Sequence, residues 1–400
     1  MNNEGFVNFV KFFTKFGTTT ELLSFNNINY FINEFWTSKQ RQGHSLHEIS
    51  YRACFKSELP SFFIDKLTSE GDVVYDPFMG RGTTLLEAYL KGRIPVGNDI
   101  NPLSLILCRP RLNPPTFEEV AKFLNSFELK KNKNIQAELK DKLSPFFHEN
   151  TIYQLNYLKN YFNKEAPIYI KTPDPVIDWI RMVCVNRLTG HSSGFFSGRT
   201  MPPNQAISSK AQIKINKKLN ILPPERDIKK IILRKSKMLL RDAVIKKVNN
   251  YKLYSSKSDT TKMIKNSSVN LIVTSPPFLD VVDYAGDNWL RCWFCDIKPE
   301  TVDISICKKP DDWTTMVRNV LKEQCRILVN GGHIAFEVGE VRSKKILLEQ
   351  LVLKAAEGLD LVPLGVIINS QKFTKTSNCW GVVNGEKGTN TNRIVLFRKN

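Results

Sequence analysis

A chain of 400 residues with 42% hydrophobic and 24% charged content has the make-up of a globular protein, and it can bury one large core or a core with a second lobe. Its formal charge of +19 excludes a neutral surface and favours anionic partners. No apolar run reaches the length of a membrane span, and eight cysteines without framework spacing exclude a disulfide scaffold. The one CxxC, Cys292-Trp293-Phe294-Cys295, lacks the second pair of a structural zinc site, so no metal is expected. Met1 to Phe16 is broken by Asn, Lys and Gly and does not read as a cleavable leader, which with the scattered thiols points to a cytoplasmic protein.

Residues 1–43 are rich in Phe and Asn; Phe12, Phe13, Phe16, Leu22 and Leu23 have the spacing of short amphipathic helices, an N-terminal helical extension with a packing role. His44 and His47 have no third ligand at suitable spacing. Phe55 and Lys56 lie just upstream of the first functional loop, before a helix over 60–67. Gly71 to Tyr75 is a turn and a short buried strand that ends at Asp76. The loop Asp76-Pro77-Phe78-Met79-Gly80-Arg81-Gly82-Thr83-Thr84 follows, then a helix to Lys91. Strand, glycine loop and helix form the unit that presents backbone N–H groups to a ligand. A second strand ends at Asp99, 23 residues after Asp76, close to the interval at which an acid meets a ribose hydroxyl.

From 103 to 249 the strand rhythm stops. Helical spacing recurs over 117–129, 153–161, 176–188 and 227–248, between joints at Pro114-Pro115, Pro202-Pro203 and Pro223-Pro224. The stretch from Thr189 to Gln205 is polar, glycine-rich and aromatic, as a contact loop is. Between Ala206 and Lys265 there are 17 Lys+Arg against 4 Asp+Glu, a net of +13. That clustering is the footprint of a polyanion binder, with Arg199, Lys210, Lys214, Lys217 and Lys218 as candidate phosphate contacts. A Lys/Asn-rich composition that merely drifted basic is the bland alternative.

The sheet resumes over 251–255, followed by Asp259, a helix near 260–265 and a buried strand over 269–273. That strand runs into Thr274-Ser275-Pro276-Pro277-Phe278. Two prolines after a buried strand remove two ladder donors and stiffen the turn, which fixes the outward carbonyls. Helices over 313–328 and 344–357, a strand over 333–338, and an antiparallel pair from 361–368 and 393–397 complete the chain.

These residues resemble a known family. Asp-Pro-Phe-x-Gly-x-Gly-Thr-Thr, then Asn98-Asp99-Ile100-Asn101-Pro102, and later Thr-Ser-Pro-Pro-Phe look like the amino-methylating DNA methyltransferases that use S-adenosylmethionine, and the Ser-Pro-Pro form resembles the N4-cytosine branch. The resemblance covers Tyr51 to Pro102 and Tyr251 to Arg398. It implies an α/β, Rossmann-like methyltransferase with a mostly parallel seven-stranded sheet whose last strand is antiparallel. The catalytic domain would comprise 44–102 and 250–400, and 103–249 would be a large helical insertion for target recognition. It places the cofactor near Phe55, Asp76, Pro77, Phe78, Gly80, Gly82, Thr83 and Thr84. Asp99 would hold the ribose, Ile100 the adenine face, and Asp259 the adenine amine. Double-stranded DNA, a restriction-modification setting and a cognate restriction endonuclease are the partners it implies.

The Ser-Pro-Pro-Phe stretch suits this chemistry on physical grounds. The exocyclic amine of cytosine is a poor nucleophile because its lone pair is delocalised into the ring. Acceptors at Ser275 Oγ and the Pro276 carbonyl favour a pyramidal nitrogen and stabilise the charge that grows on it, while Phe278 would stack on a base taken out of the duplex. Adenine-N6 methylation, a tRNA guanosine N2-methyltransferase and a non-catalytic DNA-binding module are the alternatives.

Overall fold

The structure is a computed structural model that describes residues 3–37, 43–52, 54–200, 206–243, 250–277, 279, 284–304, 307–341, 346–370 and 391–400. It opens with α1 (Asn3–Lys11), β1 (Glu21–Phe25), β2 (Ile28–Asn33) and α2 (Glu58–Leu67), followed by β3 (Val73–Asp76), α3 (Thr83–Leu90) and β4 (Ile94–Asn98). Seven helices come next: α4 (Leu103–Leu112), α5 (Phe117–Ser126), α6 (Ala137–Leu143), α7 (Glu149–Glu165), α8 (Pro175–Arg187), α9 (Ser209–Leu219) and α10 (Ile228–Leu239). The remainder is β5 (Lys252–Tyr254), β6 (Val269–Thr274), α11 (Tyr284–Cys295), α12 (Pro310–Ile327), β7 (Leu328–Val338), the short pair β8 (Glu340–Val341) and β9 (Ile346–Leu347), α13 (Leu348–Ala356), β10 (Leu361–Ser370) and β11 (Thr391–Lys399).

One mixed sheet of nine strands runs β1-β2-β10-β11-β7-β6-β3-β4-β5. β5, β4, β3, β6 and β7 are parallel, and β11 is antiparallel to both β7 and β10. The count exceeds the expected seven because the N-terminal extension is only partly helical. Phe25 pairs with Ile28 across Asn26 and Asn27, at φ 50° and 60°, and this left-handed two-residue turn closes a hairpin with β1 on the rim. β2 then adds in parallel to β10, and Asn369 Oδ1 accepts from the N–H groups of Phe35 (2.7 Å) and Trp36 (3.1 Å). α1 buries Phe6 and Val10 in an aromatic layer with Phe35, Trp36 and Phe63, on the sheet face that also carries α2.

α12 and α13 cover the opposite face, and the helices between β4 and β5 build a core of their own that continues onto α3 and α11. Turns over 260–265 stand in place of the expected helix, and the Arg326 guanidinium donates to the carbonyls of Ile264 (2.9 Å) and Thr261 (3.0 Å) there. In a parallel sheet, ligands lie beyond the carboxyl ends of the strands where the order reverses. Here that point lies between β3 and β6, whose last residues are Asp76 and Thr274.

Candidate active site

The two stretches that stand far apart in sequence meet at this switch point. Thr274 Oγ1 donates to Asp76 Oδ1 at 2.7 Å across 198 residues of chain, and the Phe78 N–H donates to the same oxygen at 3.0 Å. Thr84, at the start of α3, donates Oγ1 to the Val273 carbonyl (3.0 Å) and so ties the glycine loop to β6 from below. Asp76 is 2% exposed; burial pushes its carboxyl up to about 7, against the hydrogen bonds that favour the ionised form.

Above these contacts lies a cleft with an empty volume of about 920 Å³, open solvent included. Of the expected residues, Phe78, Gly80, Asp99, Ile100, Asp259, Ser275 and Pro277 line it. Asp76, Pro77, Thr83 and Thr84 are buried, and Gly82 caps α3 at φ 74°, where a Cβ would stand 2.5 Å from Cys108 Sγ. Phe55 packs against the aromatic layer of α1 and α2 instead of entering the cleft. Phe278 lies outside the described residues.

The glycine loop does not offer a row of N–H groups. Phe78 N–H goes to Asp76, Met79 N–H to the Asn98 carbonyl (3.0 Å), and Gly80 N–H to Asp99 Oδ2 (2.8 Å). Asp99 also accepts from the Asn101 N–H (2.8 Å), and burial raises its pKa. The carboxylate fixes the loop and keeps acceptor capacity towards the cleft. Among the described residues, Asp99, Asp259 and Asp303 line the wall with one cation, Lys257, which pairs with Asp303 at 2.7 Å. Such a wall suits hydroxyls, an amine and positive charge and repels phosphates, so the residues fit S-adenosylmethionine better than a dinucleotide.

The catalytic loop is held from two sides. The buried Trp313 donates Nε1 to the Pro277 carbonyl at 2.9 Å. The Ser275 hydroxyl hydrogen-bonds Glu337, a carboxylate 5% exposed on β7 that also accepts from Asn392 Nδ2 at 3.0 Å; burial raises the Glu337 pKa and these two bonds oppose the rise. Residue patterns did not single out Glu337, nor Met316 and Val320, which line the cleft from α12 at an i, i+4 spacing.

The exposed Lys210, Lys214, Lys217 and Lys218 all lie on α9, and Arg199 is exposed nearby. The opposite side of α9 is anchored: Gln212 Nε2 donates to the Arg199 carbonyl (2.9 Å) and Asn216 Nδ2 to the Pro145 carbonyl (2.7 Å). Ahead of the helix, Trp289 Nε1 donates to the Ile207 carbonyl (3.1 Å) and Ala206 N–H to the Asp287 carbonyl (2.9 Å). The basic helix is therefore moored to α11, the element that follows the catalytic loop.

A family model for N6/N4 methyltransferases, described as DNA methylase, matches residues 19–105, which takes in the hairpin, Asp76 to Thr84 and Asp99 but stops short of Ser275. The chain is 30% identical over 122 residues to the type II methyltransferase M.MjaII of Methanocaldococcus jannaschii, covering 30% of this chain and 22% of that protein. It is 26% identical over 163 residues to the type II methyltransferase M.MvaI of Kocuria varians, covering 37% and 35%. The matched segments thus span well under half of either relative. Among solved structures, a putative rRNA methylase from Clostridium thermocellum aligns over 87% of this chain and all of its own at 10% identity and a TM-score of 0.34.

Proposed function

We propose that this protein is a site-specific DNA methyltransferase that moves a methyl group from S-adenosylmethionine to an exocyclic base amine, N4 of cytosine, in a base taken out of the duplex. The observation that carries the reading is the joining of the two motifs: Asp76 is bonded to Thr274, and the next residue, Ser275, lines one cleft with Gly80, Asp99 and Asp259. The similarity to DNA methylases and to type II methyltransferases supports the substrate class.

S-adenosylmethionine supplies an electrophilic methyl group when bound. Asp99 would hold the ribose hydroxyls and Ile100 and Asp259 the adenine ring and its amine, with Phe78 and Gly80 shaping the methionine end. Ionised Glu337 takes the Ser275 hydroxyl proton as a hydrogen bond, which turns the Ser275 lone pairs towards the cleft. A base amine there meets two acceptors, Ser275 Oγ and the Pro276 carbonyl, which draw its lone pair out of the ring and disperse the positive charge of the attack. Holding nitrogen and methyl in line supplies much of the remaining acceleration. Double-stranded DNA would lie along α9, and a cognate restriction endonuclease and a restriction-modification setting are part of this proposal. No helix among the described residues is long and apolar enough to cross a membrane.

Adenine N6 is the second reading, because the matched family model covers both amines and the acceptors serve either. Label transfer from S-adenosylmethionine to duplex DNA and to RNA, followed by nucleoside analysis, separates them. N4-methyldeoxycytidine is expected; N6-methyladenine, methylated RNA or no product overturns the cytosine assignment.

A further inference from the structure

Next to Tyr51, α8 and α11 meet the segment 48–52 in a group of cations. Arg291, 7% exposed, donates Nη2 to the Ser50 carbonyl (3.0 Å) and Nη1 to Asn288 Oδ1 (2.9 Å), and its guanidinium lies 5.7 Å from the centre of the Tyr51 ring. Tyr51 lines the cleft and stands over Gly80. The Ser50 N–H donates to Asn186 Oδ1 at 2.9 Å, and this bond seats the end of α8 against the same segment. There Arg187 is half-buried, with its guanidinium 4.0 Å from the centre of the Phe195 ring and its Nε donating to the Asn186 carbonyl at 2.9 Å. Phe195 belongs to the loop that the sequence marks as a contact loop, and its neighbour Phe196 is tied by its N–H to the Arg187 carbonyl at 2.8 Å.

The nearby carboxylates are engaged elsewhere. Asp287 pairs with Arg52 at 2.5 Å and Glu48 with Arg241 at 3.3 Å, while the 6% exposed Lys235 adds a further cation that donates to the Glu48 carbonyl at 2.7 Å. Among the described residues, Nη1 and Nη2 of Arg187 have no acceptor, and the neighbouring Arg291 charge works with burial to push its pKa down to about 10. Like charges held together away from bulk water raise the free energy of the empty site, and an anion relieves it. A planar guanidinium clamped at Nε and stacked on one face presents its two outer nitrogens as a fixed fork, which matches two oxygens of a phosphodiester.

We propose that Arg187, stacked on Phe195 and backed by Arg291, binds a backbone phosphate of the polynucleotide strand whose base enters the cleft beside Tyr51. The proposal rests on the methyltransferase reading above and adds to it a contact distinct from the lysines of α9. An enzyme that takes a base out of a duplex has to hold the backbone on at least one side of the gap, and a rigid donor at the end of α8, seated against the segment that carries Tyr51, does so.

The test compares the full-length wild type with R187Q and R187K on a duplex of about 20 base pairs, following binding between about 50 and 200 mM salt. Binding of S-adenosylmethionine and thermal melting are measured alongside. R187Q is expected to weaken duplex binding about tenfold and to reduce the salt slope by about 0.9, with cofactor affinity unchanged. R187K is expected to restore the slope but only part of the affinity, since it returns the charge without the fork. A wild type that binds the duplex while R187Q keeps the full salt slope overturns the proposal alone, as does an R187K variant that melts like the wild type yet behaves as R187Q. A wild type that binds no polynucleotide and methylates none overturns the parent reading together with it.

Discussion

Asp76 is the residue on which the site turns, and its burial makes it a titrating group near neutrality. Its carboxyl stands at about 7 in the folded chain and near 3.8 when unfolded, so between these values the folded state holds a proton that the unfolded state has lost. Stability from this group is fully present below about pH 4 and is lost as the pH rises through about 7, at up to ~1.4 kcal/mol per unit. Thermal melts of wild type and D76N without cofactor should therefore diverge with rising pH, the variant gaining between pH 5 and 8. A constant difference between the two would sink the assignment. In the proposed reaction Glu337 acts in the other direction. Its pKa is raised by burial, and its ionised form is the stronger acceptor for the Ser275 hydroxyl, so methyl transfer should fall on the acid side at a pH above the ordinary glutamate range. E337Q should lower kcat and flatten that limb while cofactor binding holds; an unchanged pH–rate profile excludes the role. Asp76 and Asp99 were readable because each ends a short apolar strand before a loop. Glu337 was not, since it alternates with apolar residues inside β7 and finds its partners, Ser275 and Asn392, only when distant strands pair.

At the scale of elements, the units that read cleanly are those whose reasons are local. β3, its glycine loop and α3 follow from an apolar run, glycines at positive φ and an apolar helix, and the Gly82 position is enforced because a Cβ there would strike Cys108. Helical spacing likewise found α5, α7, α8 and α10, with shorter bounds for α5 and α10 than the periodicity suggests. The N-terminal hairpin was missed because two leucines in succession fit a helix as well as a strand, and the deciding signal was the turn. Asn26-Asn27 occupies the two left-handed positions that favour asparagine, and its strands become fixed only once β2 adds to β10. The turns over 260–265 were also beyond local reading, since they are held by Arg326 on α12, some sixty residues on. Phe55 was likewise suggested by its proximity in sequence to the glycine loop, and it packs, partly buried, against the aromatic layer of α1 and α2.

Across the whole molecule, the proposed path of the substrate follows from chain order and charge. The strand order reverses between β3 and β6, so the cofactor loop and the Ser275 loop open on the same edge although the long helical stretch separates them in sequence. That stretch returns to the edge through α9. Lys210, Lys214, Lys217 and Lys218 recur at steps of four, three and one, which on a helix confines them to a stripe roughly 100° wide. Gln212 and Asn216, which anchor the helix, lie on the opposite side, so the stripe faces outward. The excess of +13 between Ala206 and Lys265 is in this way partly sorted onto one surface, where a composition drift would scatter it. If the stripe carries two phosphate contacts, reversing Lys214 and Lys218 to Glu should lower the salt slope of duplex binding by about 1.8 and raise KM for DNA. The affinity for S-adenosylmethionine and the turnover at saturating DNA should be retained, because among the described residues α9 connects to the site through its mooring to α11. An unchanged slope would remove the duplex from this face, and a loss of cofactor binding would mean that the helix supports the cleft instead of reading the backbone.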